Sequence, residues 1–335
     1  MIKNLEITHF KGIKNLKLDN LSRINIFVGK PNTCKSTILE AICLYFAQNQ
    51  FDLRDILDVR AMSFESDCFL SLFHNYNASK NIVINADNNA LSITIDNNYI
   101  MIAGNKTYPS DDESLPNRIT LDYHNREMTF TRNIAKYDQV QFEFLMGNKG
   151  SSIDYKSSCV QLISQNNVLD KTLKNLTQIL ESKKKFNELK EVCKKFSLNI
   201  ESLELVKNKI IIRKKHIDKA INFKLSGHGF QKYIAIQSCI LSGKKYICID
   251  EIENGLHFES IKMVLQNLID CDKNIQFFIT THNEEILNNL TKINLNKNEV
   301  SLFNIFENKN GDIESVRFSQ DELLQNLSVE NELRG

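Results

Sequence analysis

The stretch Asn25-Ile-Phe-Val-Gly-Lys-Pro-Asn-Thr-Cys-Lys-Ser-Thr-Ile-Leu39 reads as an apolar strand running into a tight loop and then an apolar helix. Within it, Gly29-Lys30-Pro31-Asn32-Thr33-Cys34-Lys35-Ser36 has the spacing of a phosphate-binding loop, G-x-x-x-x-G-K-[ST], with Cys34 where the last glycine belongs. Relaxed at that glycine, the pattern would turn up by chance in roughly one chain of this length in six. Its context therefore decides the reading.

Upstream, Ile2, Leu5, Ile7 and Phe10, then Leu16 and Leu18, then Ile24, Ile26 and Val28 alternate with polar residues, and Lys11-Gly12 and Asp19-Asn20 mark turns. This pattern predicts two antiparallel strands feeding a buried third. Downstream, Ile38, Ala41, Ile42 and Tyr45 share a helical face, which puts the loop between strand and helix. Short β-like segments follow from about 51 to 150: 82–85, 91–95, 99–102, 118–122 and 127–131, with a surface loop over 103–117. Two amphipathic helices come next, one carrying Leu169, Leu173, Leu176, Ile179 and Leu180, the other Phe186, Leu189, Val192, Cys193 and Phe196. From 198 on, strands at 203–206 and 209–212 lead to a glycine-rich turn. A helix (231–242), a buried strand (245–249), a helix (258–269), a buried strand (275–279), a helix (284–290) and a final β pair complete an alternation typical of an α/β sheet.

At 335 residues, 42% hydrophobic and 25% charged, the composition is that of a globular chain, and the 42 basic residues nearly balance 41 acidic ones. Any nucleic-acid surface must then be a local patch. No apolar run approaches a membrane span and the N-terminus reads as a strand, so a cytoplasmic protein without membrane contact is expected. The eight cysteines form no C-x-x-C pair, which suits free thiols in a reducing compartment.

Three further elements bear on chemistry. Tyr246-Ile-Cys-Ile-Asp250-Glu251 is an apolar strand ending in two carboxylates, the arrangement that in phosphate-loop proteins supplies a Mg²⁺ ligand and a group to activate water. Another buried strand ends at Thr280-Thr-His282, where a histidine can hydrogen-bond a γ-phosphate. Leu225-Ser226-Gly227-His228-Gly229 precedes a helix and offers backbone N–H groups to an anion.

These residues together resemble the ABC-type ATPase heads of the SMC, RecF and OLD group, particularly the short AAA-type, OLD-like ATPases found among bacterial and phage-defence genes. The carriers are Phe10-Lys-Gly-Ile-Lys-Asn-Leu, Ile24-Asn25, the phosphate loop, Asp250-Glu-Ile-Glu-Asn-Gly-Leu-His257 and Thr280-Thr-His282, in that order. The resemblance implies an α/β P-loop NTPase head with an antiparallel β subdomain and an inserted helical subdomain. It divides one head (1–335) into a first lobe (1–160), a helical insertion (161–200) and a second lobe (201–335).

It also implies ATP and Mg²⁺ as ligands, with Gly29, Lys30, Asn32, Thr33, Cys34 and Thr37 cradling the phosphates and Lys35 on the β- and γ-phosphates. Ser36 and Asp250 would hold Mg²⁺. Glu251 would be the general base, and His282 the γ-phosphate sensor. Ser226, Gly227 and Gly229 would serve the site of a second copy in a head-to-tail homodimer or higher oligomer. A glutamine completing the Mg²⁺ shell would be Gln139, Gln141, Gln161 or Gln165. Cys34, Pro31 where Asn is usual and His228 where an acid is usual depart from the pattern; a Cβ at position 34 would crowd the phosphates or strain the backbone where glycine is permissive, either of which would slow or abolish hydrolysis. The expected activity is hydrolysis of ATP to ADP and phosphate, switching the grip on DNA or on an effector such as a nuclease or toxin, in phage defence or DNA maintenance. The alternative is a non-hydrolysing, nucleotide-gated scaffold that holds such a partner.

Overall fold

The structure, a computed structural model, describes residues 1–46, 56, 69–96, 102–103, 106–107, 118–123, 126–134, 140–147, 159–164, 168–197, 199–207, 209–290, 292–293, 295–296 and 298–328. The chain starts with β1 (Leu5–Phe10), β2 (Ile13–Leu18) and β3 (Ile24–Val28), then α1 (Lys35–Tyr45). Next come β4 (Ile82–Ala86), β5 (Asn89–Asp96), β6 (Ile102–Ala103), β7 (Lys106–Thr107), β8 (Arg118–Tyr123), β9 (Arg126–Ile134), β10 (Val140–Gly147) and β11 (Val160–Ile163). Helices α2 (Val168–Leu180) and α3 (Lys183–Phe196) precede β12 (Ile200–Val206), β13 (Lys209–Lys214) and β14 (Ile217–Asn222). The chain continues through α4 (His228–Ser242), β15 (Tyr246–Ile249), α5 (Phe258–Asp270), β16 (Gln276–Thr280) and α6 (Glu284–Leu290). It closes with β17 (Val300–Glu307), β18 (Ile313–Phe318) and α7 (Gln320–Ser328).

Two sheets dominate. One is antiparallel, in the order β10-β9-β8-β5-β4-β1-β2; the other, β11-β15-β16-β3-β17-β18, is parallel except for β18. The parallel strands β3, β15 and β16 are continuous apolar runs because both of their faces are covered. Alternation sends Ile24, Ile26, Ile247, Ile249, Phe277 and Ile279 into one core, under α2, α4 and α5. Phe27, Cys248, Phe278, Phe303 and Ile305 enter the other, under α1 and the antiparallel sheet. Each core explains why α1 and α4 are apolar nearly all round: both helices are packed on more than one side.

The two amphipathic helices lie on the head. Leu176, Ile179, Leu189 and Cys193 are buried in the α4 core, and Phe196 packs 5.1 Å from both Phe230 and Tyr233 of α4. Away from the site, buried Arg23 is paired with Glu299 at 2.7 Å and donates to Leu268 O and Ile269 O, tying β3 to the C-terminal end of α5.

Several sequence expectations shift. The strand pair at 203–212 gains a third member, β14, which is exposed over Ile217–Lys219 and lacks a clean alternation. Helix α4 starts at His228 rather than 231, because Gly227 takes the N-cap position. Ile102–Ala103 and Lys106–Thr107 pair as a small ladder within the region read as strand end and surface loop; the remainder of 97–117 lies outside the described residues. Of the eight cysteines, the seven described are free thiols.

Candidate functional site

Parallel strands align their C-terminal ends on one edge of a sheet, and ligands of such sheets bind there. Here that edge receives the phosphate loop from β3, the two carboxylates from β15 and Thr280-Thr281-His282 from β16, which lies between β15 and β3. Loop and carboxylates are therefore two strands apart, bridged by the end of β16.

The loop is held by close backbone approach. Gly29 has φ 142°, and a Cβ there would meet Ile305 O of β17 at 2.0 Å, so only glycine fits. Asn32 and Cys34 also take positive φ, 65° and 61°. Cys34 caps α1 in the left-handed region that a glycine would enter freely, and its sulfur points to the β1–β2 turn. A Cβ on Gly12 would come within 2.5 Å of Cys34 Sγ. The missing side chain at Gly12 thus makes room for the extra one at Cys34.

Lys35 is buried at the base of α1. Its ammonium donates to Gly29 O (3.0 Å), Lys30 O (2.6 Å) and Thr33 Oγ1 (3.2 Å), and Thr33 Oγ1 donates to Lys30 O. Burial lowers its pKa to about 8, while the charges of Asp250, Glu251, Cys34 and Glu253 pull the other way.

One residue further, Ser36 Oγ donates to Asp250 Oδ1 at 2.8 Å, and Thr280 Oγ1 donates to the same oxygen at 2.7 Å. Glu251 N–H donates to Thr280 Oγ1, and Glu251 Oε2 accepts from Asn254 Nδ2 at 3.1 Å. His282 follows β16, and its N–H donates to Glu253 Oε1 at 2.6 Å. A serine hydroxyl and a carboxylate at the mouth of a loop of N–H groups are hard oxygen donors, the set that suits Mg²⁺ beside phosphates. Among the described residues no cluster of three or more His, Cys, Asp or Glu could hold a metal ion by itself.

The structure thus brings Lys35, Ser36, Asp250 and Glu251 together, with His282 joined through Glu253. Ser226, Gly227 and Gly229 lie at the start of α4: Ser226 Oγ donates to Phe223 O within its own turn, and a Cβ on Gly227 would meet nothing within 4 Å among the described residues. Gly229 is pressed against the loop after β15, where a Cβ would meet Gly255 O at 2.5 Å.

Position also sorts the four glutamines. Ile163 pairs with Ile249, so the end of β11 is level with Asp250, whereas Gln161 pairs with Ile247, roughly 10 Å back at about 3.3 Å per residue from the level after Ile163. Gln141 is on β10 at the far edge of the antiparallel sheet. Gln139 and Gln165 lie outside the described residues. Sequence reasoning assigned no part to Thr280, Glu253, Asn254 or Lys232. Only the polar end of an otherwise apolar strand, Thr280, carried a visible signal.

Comparison with known families decides the relationship. The model of the family described as "AAA domain, putative AbiEii toxin, Type IV TA system" matches residues 117–288, just over half of the chain. The chain belongs to this AAA-domain family. The matched part of the AAA domain includes the loop before α4, Asp250–His257 and His282. A protein of Helicobacter pylori described as "ATP/GTP phosphatase" is 26% identical over 330 residues, covering 88% of each chain. An uncharacterised protein of Methanocaldococcus jannaschii is 48% identical over 50 residues, 15% of this chain and 23% of its own.

Among solved structures, an Smc head bound to the C-winged helix domain of ScpA superposes with a TM-score of 0.53 at 16% identity, covering 96% of this chain and 98% of that one. An Smc head with an extended coiled coil, bound to the C-terminal domain of ScpA from Pyrococcus furiosus, gives 0.52 at 12%, covering 98% and 99%. The fold of this AAA-domain protein is accordingly that of an SMC-like, ABC-type ATPase head.

Proposed function

We propose that the protein binds ATP with Mg²⁺ and hydrolyses it to ADP and phosphate between two heads arranged head to tail. The observation that carries this reading is the shared acceptor Asp250 Oδ1, which gathers Ser36 from the phosphate-loop helix and Thr280 from the neighbouring strand. The relative described as an ATP/GTP phosphatase supports the same class of reaction.

In this reading the loop N–H groups of 29–35 and the Lys35 ammonium take the phosphates, exchanging the ammonium's bonds to Gly29 O and Lys30 O for bonds to phosphate oxygens. Ser36 and Asp250 hold Mg²⁺, which neutralises charge on the phosphates when bound. Glu251 accepts a proton from the attacking water as the new P–O bond forms and the bond to ADP breaks. His282 donates to the γ-phosphate. Ser226, Gly227 and Gly229 complete the site of the partner head, which fits the open space around Gly227 among the described residues.

The heads are read as single units of two lobes (1–160 and 201–335) with a helical insertion (161–200), working in the cytoplasm. No described helix is long and apolar enough to cross a membrane. The ATP cycle would alter the grip on DNA. In support, residues 168–224 carry 15 Lys and Arg against 7 Asp and Glu in a chain that is otherwise acidic, a local excess of the sign that a polyanion attracts. A setting in phage defence or DNA maintenance rests on the family resemblance.

Sedimentation of Glu251→Gln with and without Mg·ATP tests the dimer. A shift from monomer to dimer that is abolished by Lys35→Ala or Ser226→Arg is expected; an unchanged monomer at saturating ATP would contradict it.

A further inference from the structure

Lys232 has no part in the roles above, yet it is buried (4% exposed) one turn inside α4. Its ammonium donates to Asp250 O at 3.0 Å and to Glu251 O. Burying an ammonium is costly unless its hydrogens and charge are used, and both are used at one place, the turn after β15.

That turn is under backbone strain. Glu251 has φ 46°, in the left-handed region that residues with a Cβ avoid, and such strain persists only where the surroundings over-determine it. Glu251 is pinned on every side: its N–H by Thr280 Oγ1, its carboxylate by Asn254 Nδ2, and the carbonyls before and after its Cα by Lys232. Without Lys232, those two carbonyls would lose their shared charged donor.

The same lysine also feels Glu253, the carboxylate that holds the His282 N–H. Burial lowers its pKa to about 8, and Glu253 is the strongest of the charges holding the proton on, ahead of Asp250 and Glu251. Glu253 accepts the His282 N–H through Oε1, while its Oε2 is buried with no hydrogen-bond partner among the described residues. Gly229 against Gly255 O adds a steric interlock between the start of α4 and the same loop.

We infer that Lys232 is a positioning residue: it fixes the left-handed Asp250–Glu251 turn that aims the Glu251 carboxylate, and couples α4 to that turn. The kinetic part of this inference rests on the ATPase reading of Glu251; the structural part does not.

Lys232→Met, Lys232→Arg, Glu251→Gln and the Lys232→Met/Glu251→Gln double variant test it. Lys232→Met should lower kcat for ATP at least tenfold with nucleotide Kd within about twofold, and Lys232→Arg should restore much of the rate. The double variant should be no slower than Glu251→Gln, since one residue acts through the other. Amide hydrogen exchange of the apoprotein should quicken at least tenfold in Lys232→Met at 250–254 and stay unchanged in β3 and α1.

Wild-type kcat together with wild-type exchange at 250–254 would overturn the inference, as would faster exchange spread evenly over the chain, which marks a residue needed only for stability. If the wild-type protein hydrolyses no ATP, the ATPase reading fails, and local exchange at 250–254 still decides whether Lys232 holds the turn.

Discussion

Ser36 Oγ lies 2.8 Å from Asp250 Oδ1, so the first turn of the phosphate-loop helix touches the end of β15 across 214 positions of sequence. Strand order makes this contact possible: β16 separates the two strands, and its Thr280 shares the same carboxylate oxygen. If the pair is the Mg²⁺ anchor, Ser36→Ala and Asp250→Ala should each weaken binding of Mg·ATP by about 10- to 100-fold. Binding of ATP in EDTA should change little. Calorimetric titration with and without Mg²⁺ measures the contrast, and equal losses under both conditions would assign the pair to the fold instead.

If Lys35 takes the phosphates as proposed, nucleotide affinity should depend on pH. Its pKa is about 8 in the folded protein, against a usual 10.5, because burial outweighs the nearby carboxylates. Phosphates bind the charged form, so affinity should fall by up to about tenfold per pH unit above 8, with a proton taken up on binding near pH 8 to 9. The apoprotein has the opposite slope: between 8 and 10.5 the unfolded chain holds more of this proton, and Lys35 adds stability as pH rises through that window. Calorimetry in two buffers of different ionisation enthalpy reads the proton directly.

Cys34 and Gly12 should behave as one unit. Gly12→Ala forces a Cβ to within 2.5 Å of Cys34 Sγ and should cost about 1–3 kcal/mol of stability. In a Cys34→Gly background the clash is gone, and the same change should cost less than about 1 kcal/mol. Cys34→Gly alone removes a left-handed residue strained by about 1–2 kcal/mol but also its sulfur packing, so its net effect should be small. Denaturant unfolding of the four proteins gives the coupling.

How much of this was legible follows from the range of each signal. The strand–loop–helix at 24–45 and the strand ends at Asp250 and Thr280 are local patterns: continuous apolar runs broken by glycine or polar residues, which the sequence displays directly. β14 was missed because a strand exposed over Ile217–Lys219 leaves no alternation to read. The relation of Cys34 to Gly12, the shared oxygen of Asp250 and the reach of Lys232 to Glu251 are long-range contacts between residues that look ordinary alone. Where the candidate glutamines stand depends on strand register, which the sequence does not display: Gln161 pairs with Ile247.

Phosphate release from ATP by the wild-type protein, measured beside Glu251→Gln under saturating Mg·ATP, bears most directly on the account. Wild type should release phosphate, and Glu251→Gln should bind ATP with similar affinity while turning it over at least about 100-fold more slowly, the scale of a lost general base. Equal rates in the two proteins, or ATP binding by wild type with no phosphate released, would contradict it.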